Sequence, residues 1–309
     1  IDPTAILAPF YFLFFGLMLS DAAYGLILTT LCAIILKKYK PEGTTHRMIK
    51  MFMFCGLSTF MWGALFGGWF GNFFTVAAKT FFGKEFVIKP LWFDPLSEPM
   101  RLLVVSLILG AIHLFVGMGV QAYMDIKDGR PLDALFDIGL WYLLLIGIVL
   151  FAFGGKLGAG AVGIGKIMAI VGAVGILLTG GRKKKGIFGK LTGGLGSLYG
   201  ITSYLSDVLS YSRLLALGLA TGVVAQVFNT LGSLAGGGIA GSILLIVVFA
   251  FGTVFNIAIN ALGAFVHSCR LQYVEFFGKF YTGGGRPFAP FERKTKYIKI
   301  LKEGNDNVK

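Results

Sequence analysis

Apolar residues run in long blocks along this chain, and the charged residues fall in the gaps between them. The blocks cover approximately 5–36, 48–78, 99–126, 132–154, 163–180, 190–232 and 240–278. A helix needs about 20 apolar residues to cross a hydrocarbon core roughly 30 Å thick, and these blocks meet or approach that length. In lipid every backbone N–H and C=O must be satisfied inside its own segment. Long unbroken runs do this as helices, not as the ten-residue alternating strands of a membrane barrel. The pattern predicts an all-α, polytopic membrane helix bundle.

Two features refine the count. The block 5–36 has one polar interruption, Ser20-Asp21, near its middle. Read as a turn, it divides the block into two short helices joined as a tight hairpin and gives about eight transmembrane helices. The last two blocks hold about 40 residues each, roughly 60 Å of helix, twice the apolar thickness. They must tilt, break or protrude. Both stay apolar along their length, so steep tilt is the expectation.

Composition agrees with a lipid environment. Hydrophobic residues make up 56% of the chain and charged residues 14%, against about 25% charged in a soluble domain; mean hydropathy is +0.78. A net charge of +13 is also what a nucleic-acid-binding protein shows, but its distribution excludes that reading. Of the 28 Lys and Arg, 20 lie in alternate loops, in 37–50, 127–130 and 182–190 and after Gly278. Short basic loops remain cytoplasmic, which places those loops and the C-terminus inside. The run Arg182-Lys183-Lys184-Lys185 then reads as an orientation signal that touches anionic lipid. Cys32, Cys55 and Cys269 are scattered buried thiols. His46, His113 and His267 are too far apart for a local zinc site, so no metal is expected. Gly158-Ala-Gly160-Ala-Val-Gly163 has the form of a dinucleotide fingerprint but follows no strand and lacks the acidic residue about 20 positions on. No cofactor is expected. Ile1 is not an initiator Met, and the chain reads as the membrane half of something larger.

Ionisable groups deep in membrane segments are costly and point to function. Arg213 lies near the middle of 190–232, too far from either end to snorkel. Asp207, six positions away, is not at helix-neighbour spacing, so a local ion pair is not expected. Small residues around Arg213 (Ser206, Ser210, Ala216, Gly218, Ala220) allow another helix to approach closely. On the last block Asn256, Asn260, Gly263, His267 and Arg270 are spaced to share one helix face. Such a stripe is either a hydrated path or a satisfied interhelical network. Glu275 is a partner for Arg270 or the mouth of a path. Asp21, His113, Asp125, Asp137, Gln226 and Asn229 are further polar groups in or beside the blocks.

Several runs carry a family resemblance. Ser210-Tyr211-Ser212-Arg213-Leu214-Leu215-Ala216-Leu217-Gly218-Leu219-Ala220 resembles the signature helix of the V/A-type rotary ATPase membrane subunit, subunit a or subunit I. Asp2-Pro3-Thr4 through Asp21-Ala22-Ala23-Tyr24-Gly25 resembles its first membrane motif, and Leu65-Phe66-Gly67-Gly68-Trp69-Phe70-Gly71 its next hairpin. His267-Ser268-Cys269-Arg270-Leu271-Gln272-Tyr273-Val274-Glu275-Phe276 and Gly283-Gly284-Gly285 to Pro290-Phe291 resemble its last helix and tail. The resemblance covers roughly residues 2–291, and the short loops resemble the bacterial or archaeal type.

The resemblance implies a stator subunit of a V/A-type ATPase or ATP synthase in a bacterial or archaeal plasma membrane, with no catalytic site of its own. Implied partners are the proteolipid rotor ring, membrane lipid, and a peripheral stalk reached through an N-terminal cytosolic half absent from this sequence. That half would place Ile1 in the cytoplasm, in keeping with eight helices. It further implies three regions: residues 1–185 as a peripheral helix bundle, 186–280 as two tilted helices facing the rotor, and 281–309 as a cytoplasmic tail. Arg213 matches the family's essential arginine and Arg270 a second functional one. Asn260 departs from the acidic residue that eukaryotic relatives tend to carry. On this reading Asn256, Asn260 and His267 line an outer path for H+ or Na+, with Glu275, Arg270 and Asp207 nearer the cytoplasm. The competing classes are a stand-alone secondary transporter or ion channel, which would be expected to show paired half-repeats, and a purely structural scaffold.

Overall fold

The computed structural model describes residues 3–83, 86–154, 159–182, 187–234, 238–281, 283, 284, 288 and 291. Asp2, Gly158, Lys183 to Lys185 and nearly all of the 281–309 tail, for which expectations were given above, lie outside those residues. Among the described residues there are helices and no strands.

The first apolar block divides where its polar interruption predicts. Helix α1 spans Thr4–Leu19 and α2 spans Ala22–Tyr39. Ser20 closes α1 in the left-handed region at φ 36°, and Asp21 caps α2 by accepting from the N–H groups of Ala23 and Tyr24. A Ser or Asp at this position satisfies donors that the first helical turn leaves free. The connection is tight, but the two helices splay, because α3 (Gly43–Phe66) packs against both. Gly63 makes the wedge possible: a Cβ there would lie 2.0 Å from the backbone nitrogen of Ala22. Small residues let membrane helices touch backbone to backbone, where van der Waals packing and not exclusion of water holds them.

The short α4 (Phe73–Phe82) follows a loop, and then come α5 (Pro99–Lys127), α6 (Pro131–Ala134) and α7 (Leu140–Phe153). A π-helical turn, Leu135–Gly139, joins the last two into one rod. Helix α8 spans Ala159–Thr179 and packs along α7 as a side pair. Arg182 holds the end of this pair, donating to Asp133 at 2.5 Å and Asp137 at 2.9 Å.

The sixth apolar block is one long span, Thr192–Ser233, with two single-residue interruptions. It breaks into α9 (Ile187–Tyr199), α10 (Ile201–Ser210) and α11 (Ser212–Ser233), with interruptions at Gly200 and Tyr211. The last block forms α12 (Ile239–Arg270), a π-helical stretch Leu271–Phe276, and α13 (Phe277–Phe280). The extra length of both blocks is therefore accommodated by breaks and altered winding as well as by any tilt. Counting each broken or π-interrupted rod once, the described residues supply seven helices long and apolar enough to cross a membrane, and α1 is a shorter apolar helix beside them.

Helix α1 sits at the centre, against α3, α11 and α12. Phe14, Phe15, Leu17, Met18 and Leu19 are fully buried and join Leu214, Ala264 and Leu271 in one core. Large apolar residues such as Phe251, Val254 and Leu262 on α12 stay exposed, as expected of a surface that meets lipid or another apolar chain rather than water.

Candidate functional site

The break at Tyr211 fixes the position of Arg213. The Tyr211 ring is buried against Phe14 of α1, 5.7 Å between centroids, and it lies over Gly110 of α5, where a Cβ would fall 2.3 Å from its Cγ. The Tyr211 hydroxyl and His113 Nδ1 are hydrogen-bonded at 2.7 Å. Arg213 follows in the first turn of α11, its side chain 26% exposed on the bundle face. Phe14 stands ten residues along α1, about 15 Å of rise from Thr4. Arg213 therefore lies deep in the bundle and not at its rim.

Arg213 Nη1 donates to Glu275 Oε1 at 3.3 Å. Glu275 belongs to the π-helical stretch and is 3% exposed. Sequence spacing offers Arg270 as the partner of Glu275; the fold gives it Arg213. Arg270 is exposed, and Glu275 pairs with Arg213 instead. Asp207 makes no ion pair with Arg213; instead it accepts from Lys279 Nζ, which also sits over the Tyr204 ring, 4.1 Å from the centroid. In the sequence Lys279 is marked only by its place among the basic residues after Gly278. His113, stacked on Phe276 at 4.2 Å, and Tyr211 and Gln272, which quoted motifs contained, were assigned no role either. Their burial beside Glu275 is a product of the tertiary fold.

The polar stripe of α12 divides into two environments. Asn256 is fully buried and donates to the Tyr24 hydroxyl at 3.0 Å and to Thr221 O at 3.1 Å. Asn260 donates to Asn256 O at 3.1 Å and also to its side-chain oxygen. These two asparagines form a satisfied interhelical network. Further along, burial moves to Ala264, Ser268 and Leu271, while His267 is partly exposed and Arg270 exposed. Residues four apart drift about 40° per step on a 3.6-residue helix, so by Ser268 the buried line has turned roughly 120° from Asn256. Hence the stripe shares a helix face and yet leaves the interior halfway.

Asn256, Asn260 and His267 do not line the polar cleft beside α11. A cavity of about 210 Å³ lies at the Asp21 end of the bundle, beside α11; its lining includes Ser20, Asp21, Asn72, Asp94, Gly218 and Gln226. Gly218, with Gly222 and Gln226, forms one face of α11, and Gly218 stands five residues, about 7.5 Å of rise, from Arg213. Ser20 Oγ donates to Gly218 O at 3.3 Å at the floor of this cleft. Its rim is held by Asp21, whose carboxylate also accepts from the N–H groups of Phe70 at 3.2 Å and Gly71 at 2.9 Å. Phe70 is held in the left-handed region at φ 53°, and Asn229 donates to its carbonyl at 2.9 Å. Of the other polar groups, Asp125 pairs with Arg130 at 3.5 Å.

Comparison with known proteins matches residues 201–293 to the V-type ATPase 116kDa subunit family. The chain is 35% identical to A-type ATP synthase subunit I of Methanocaldococcus jannaschii, over 96% of this chain and 46% of that protein. It is 37% identical to A-type ATP synthase subunit I of Thermococcus kodakarensis, over 97% and 45%. Similarity to V-type ATP synthase subunit I of Borreliella burgdorferi is lower, 25% over 96% and 50%. The chain thus spans about half the length of the curated relatives it matches.

Proposed function

This chain belongs to the V-type ATPase 116kDa subunit family, and from that premise we propose that it is the stator membrane subunit of an A/V-type ATPase or ATP synthase, guiding H+ or Na+ past a turning proteolipid ring. It carries no ATP site in this reading; the nucleotide chemistry belongs to other subunits. The ring slides over the open face of α10, α11 and α12, within 186–280; residues 1–185 form the supporting bundle, and 281–309 form a cytoplasmic tail. The basic loops and the C-terminus face the cytoplasm, and the Asp21 end faces outward. A peripheral stalk attaches through a preceding cytosolic region.

One observation carries the proposal: Arg213 stands partly exposed, deep in an apolar bundle, between two polar regions that do not join. On the outer side the cleft along Gly218, Gly222 and Gln226 stops about one and a half turns short of it. On the inner side Asp207, Lys279 and Glu275 lie near the α10–α11 break. A rotor carboxylate travels neutral or ion-loaded through lipid. Opposite Arg213 it meets a cation that stays charged when desolvated, because guanidinium keeps its proton in proteins. Two unit charges 4 Å apart gain about 4 kcal/mol at an effective dielectric of 20. That favours ion release without locking the ring, and the fixed positive charge blocks ions from leaking straight between the two regions. The ion enters or leaves on the outer side through the Ser20–Gln226 cleft. On the inner side its route passes Asp207 and Glu275, with His267 and Arg270 on the face presented to the ring. Asn256 and Asn260 brace the outer half.

The test is ATP-driven ion pumping by the assembled complex carrying Arg213→Lys, with assembly measured separately. Loss of pumping with assembly intact supports the proposal. Pumping at the unmodified rate refutes it and reduces Arg213 to a residue that pins helices.

A further inference from the structure

Arg213 is not free to wait for a rotor carboxylate, because its charge is already held by Glu275. The two belong to different elements, α11 and the π-helical stretch after α12, and lie 62 positions apart in the chain. Their exposures differ: Glu275 is almost sealed at 3%, whereas Arg213 is open at 26%. The second oxygen of Glu275, Oε2, is buried and makes no hydrogen bond among the described residues. Winding sets this geometry. In the π-helical stretch Leu271, Gln272, Glu275 and Phe276 all face inward, which directs Glu275 away from the bundle surface and under the arginine. Of the groups around it, Tyr211 is bonded to His113 and Lys279 is engaged with Asp207, while His113 Nε2 and both polar atoms of the Gln272 amide are buried and, like Glu275 Oε2, make no hydrogen bond among the described residues; neither of these last two side chains is a cation. Arg213 is the cation that balances Glu275.

We propose that Glu275 is the resident counter-ion of Arg213 and the competitor against which every rotor carboxylate binds. This rests on the reading of Arg213 given above and adds a second residue to that reaction. While the passing carboxylate is protonated or loaded with Na+, Arg213 stays on Glu275. When the carboxylate gives up its ion it shares the arginine, whose partly exposed side is turned outward. As it takes up an ion again, Arg213 returns to Glu275. The stator charge is balanced at every stage, and the arginine's hold on the rotor is weakened by the carboxylate behind it. Without Glu275 the arginine keeps the rotor carboxylate ionised more strongly, so reloading needs a higher ion concentration.

The test uses the complete membrane complex with Glu275→Gln and reads ion-driven turnover against pH, or against Na+ concentration if the complex carries Na+. The expected result is a shift of the half-maximal point by about tenfold in ion concentration, to lower pH or higher Na+, with Glu275→Asp lying closer to the unmodified complex. A purely structural Glu275 lowers the maximum rate and leaves the half-maximal concentration unchanged; that result overturns the proposal. If Glu275→Gln fails to assemble, the double variant Glu275→Gln/Arg213→Gln decides. Recovered assembly means an uncompensated arginine was the fault and supports the pair; failure of the double variant as well overturns it. Arg213→Lys measured alongside separates the two claims. If Arg213→Lys stops pumping and Glu275→Gln leaves the half-maximal point in place, the role of Arg213 stands and the counter-ion role falls.

Discussion

Asp21 is a carboxylate among apolar helices, the kind of residue that defaults to an ion path, yet its hydrogen bonds give it a structural task. It accepts from four backbone N–H groups: Ala23 and Tyr24 at the start of α2, and Phe70 and Gly71 in the loop after α3. Asp21→Ala removes the helix cap, at a cost of about 1 kcal/mol. It also strands the two loop donors, each costing roughly 1–3 kcal/mol where water does not replace the acceptor. Taking about 1.5 kcal/mol for each of them, the sum is about 4 kcal/mol, near a thousandfold in the folded-to-unfolded ratio at 1.4 kcal/mol per tenfold. Asp21→Asn keeps one acceptor oxygen for the cap and forfeits mainly the Gly71 bond, so it should cost about 1–2 kcal/mol. Reversible unfolding in mixed micelles measures both. The expected order of stability is unmodified, then Asn, then Ala, with protease cleavage of the 67–72 loop rising in the same order. Equal stability of Asp21→Ala and the unmodified chain would refute the reasoning and return Asp21 to the ion path alone.

Two other substitutions probe the surroundings of Arg213. Gly110→Ala places a methyl group in the space of the Tyr211 ring; overpacking of this kind costs about 1–3 kcal/mol, and pumping by the assembled complex should fall because the helix break that positions Arg213 moves. Asp207→Asn or Lys279→Gln alone strands a largely buried charge, which is more costly than losing the pair. Each single variant should therefore assemble less well than the double variant, as read from complex yield after detergent extraction.

The division into seven helices of spanning length and a shorter first one was legible because lipid imposes a simple rule on sequence: apolar runs become helices, and polar breaks become turns. Ser20-Asp21 marked the split of the first block for that reason, and the isolated charge of Arg213 marked itself. The divided fate of the α12 stripe was not legible. Asn256 and His267 have equivalent helical phase, and only the angle at which α12 crosses α1 and α11 turns one inward and leaves the other partly open. The breaks at Gly200 and Tyr211 were also hidden, since neither is marked by a proline or a run of charges and the Tyr211 break depends on a ring seated over Gly110 of α5.

Sequence by itself determined the apolar surroundings, the helical class, the division of the first block and the identity of the cation deep in the bundle, because each follows from the cost of placing a polar or charged group in hydrocarbon. Partnership was decided only by tertiary structure. Glu275 lies one turn from Arg270 along the chain but 62 positions from Arg213, and a π-helical winding together with the packing of α12 against α11 gives it to the distant one. Ion pairs form between the atoms that folding brings within reach, and separation along the chain does not measure that distance.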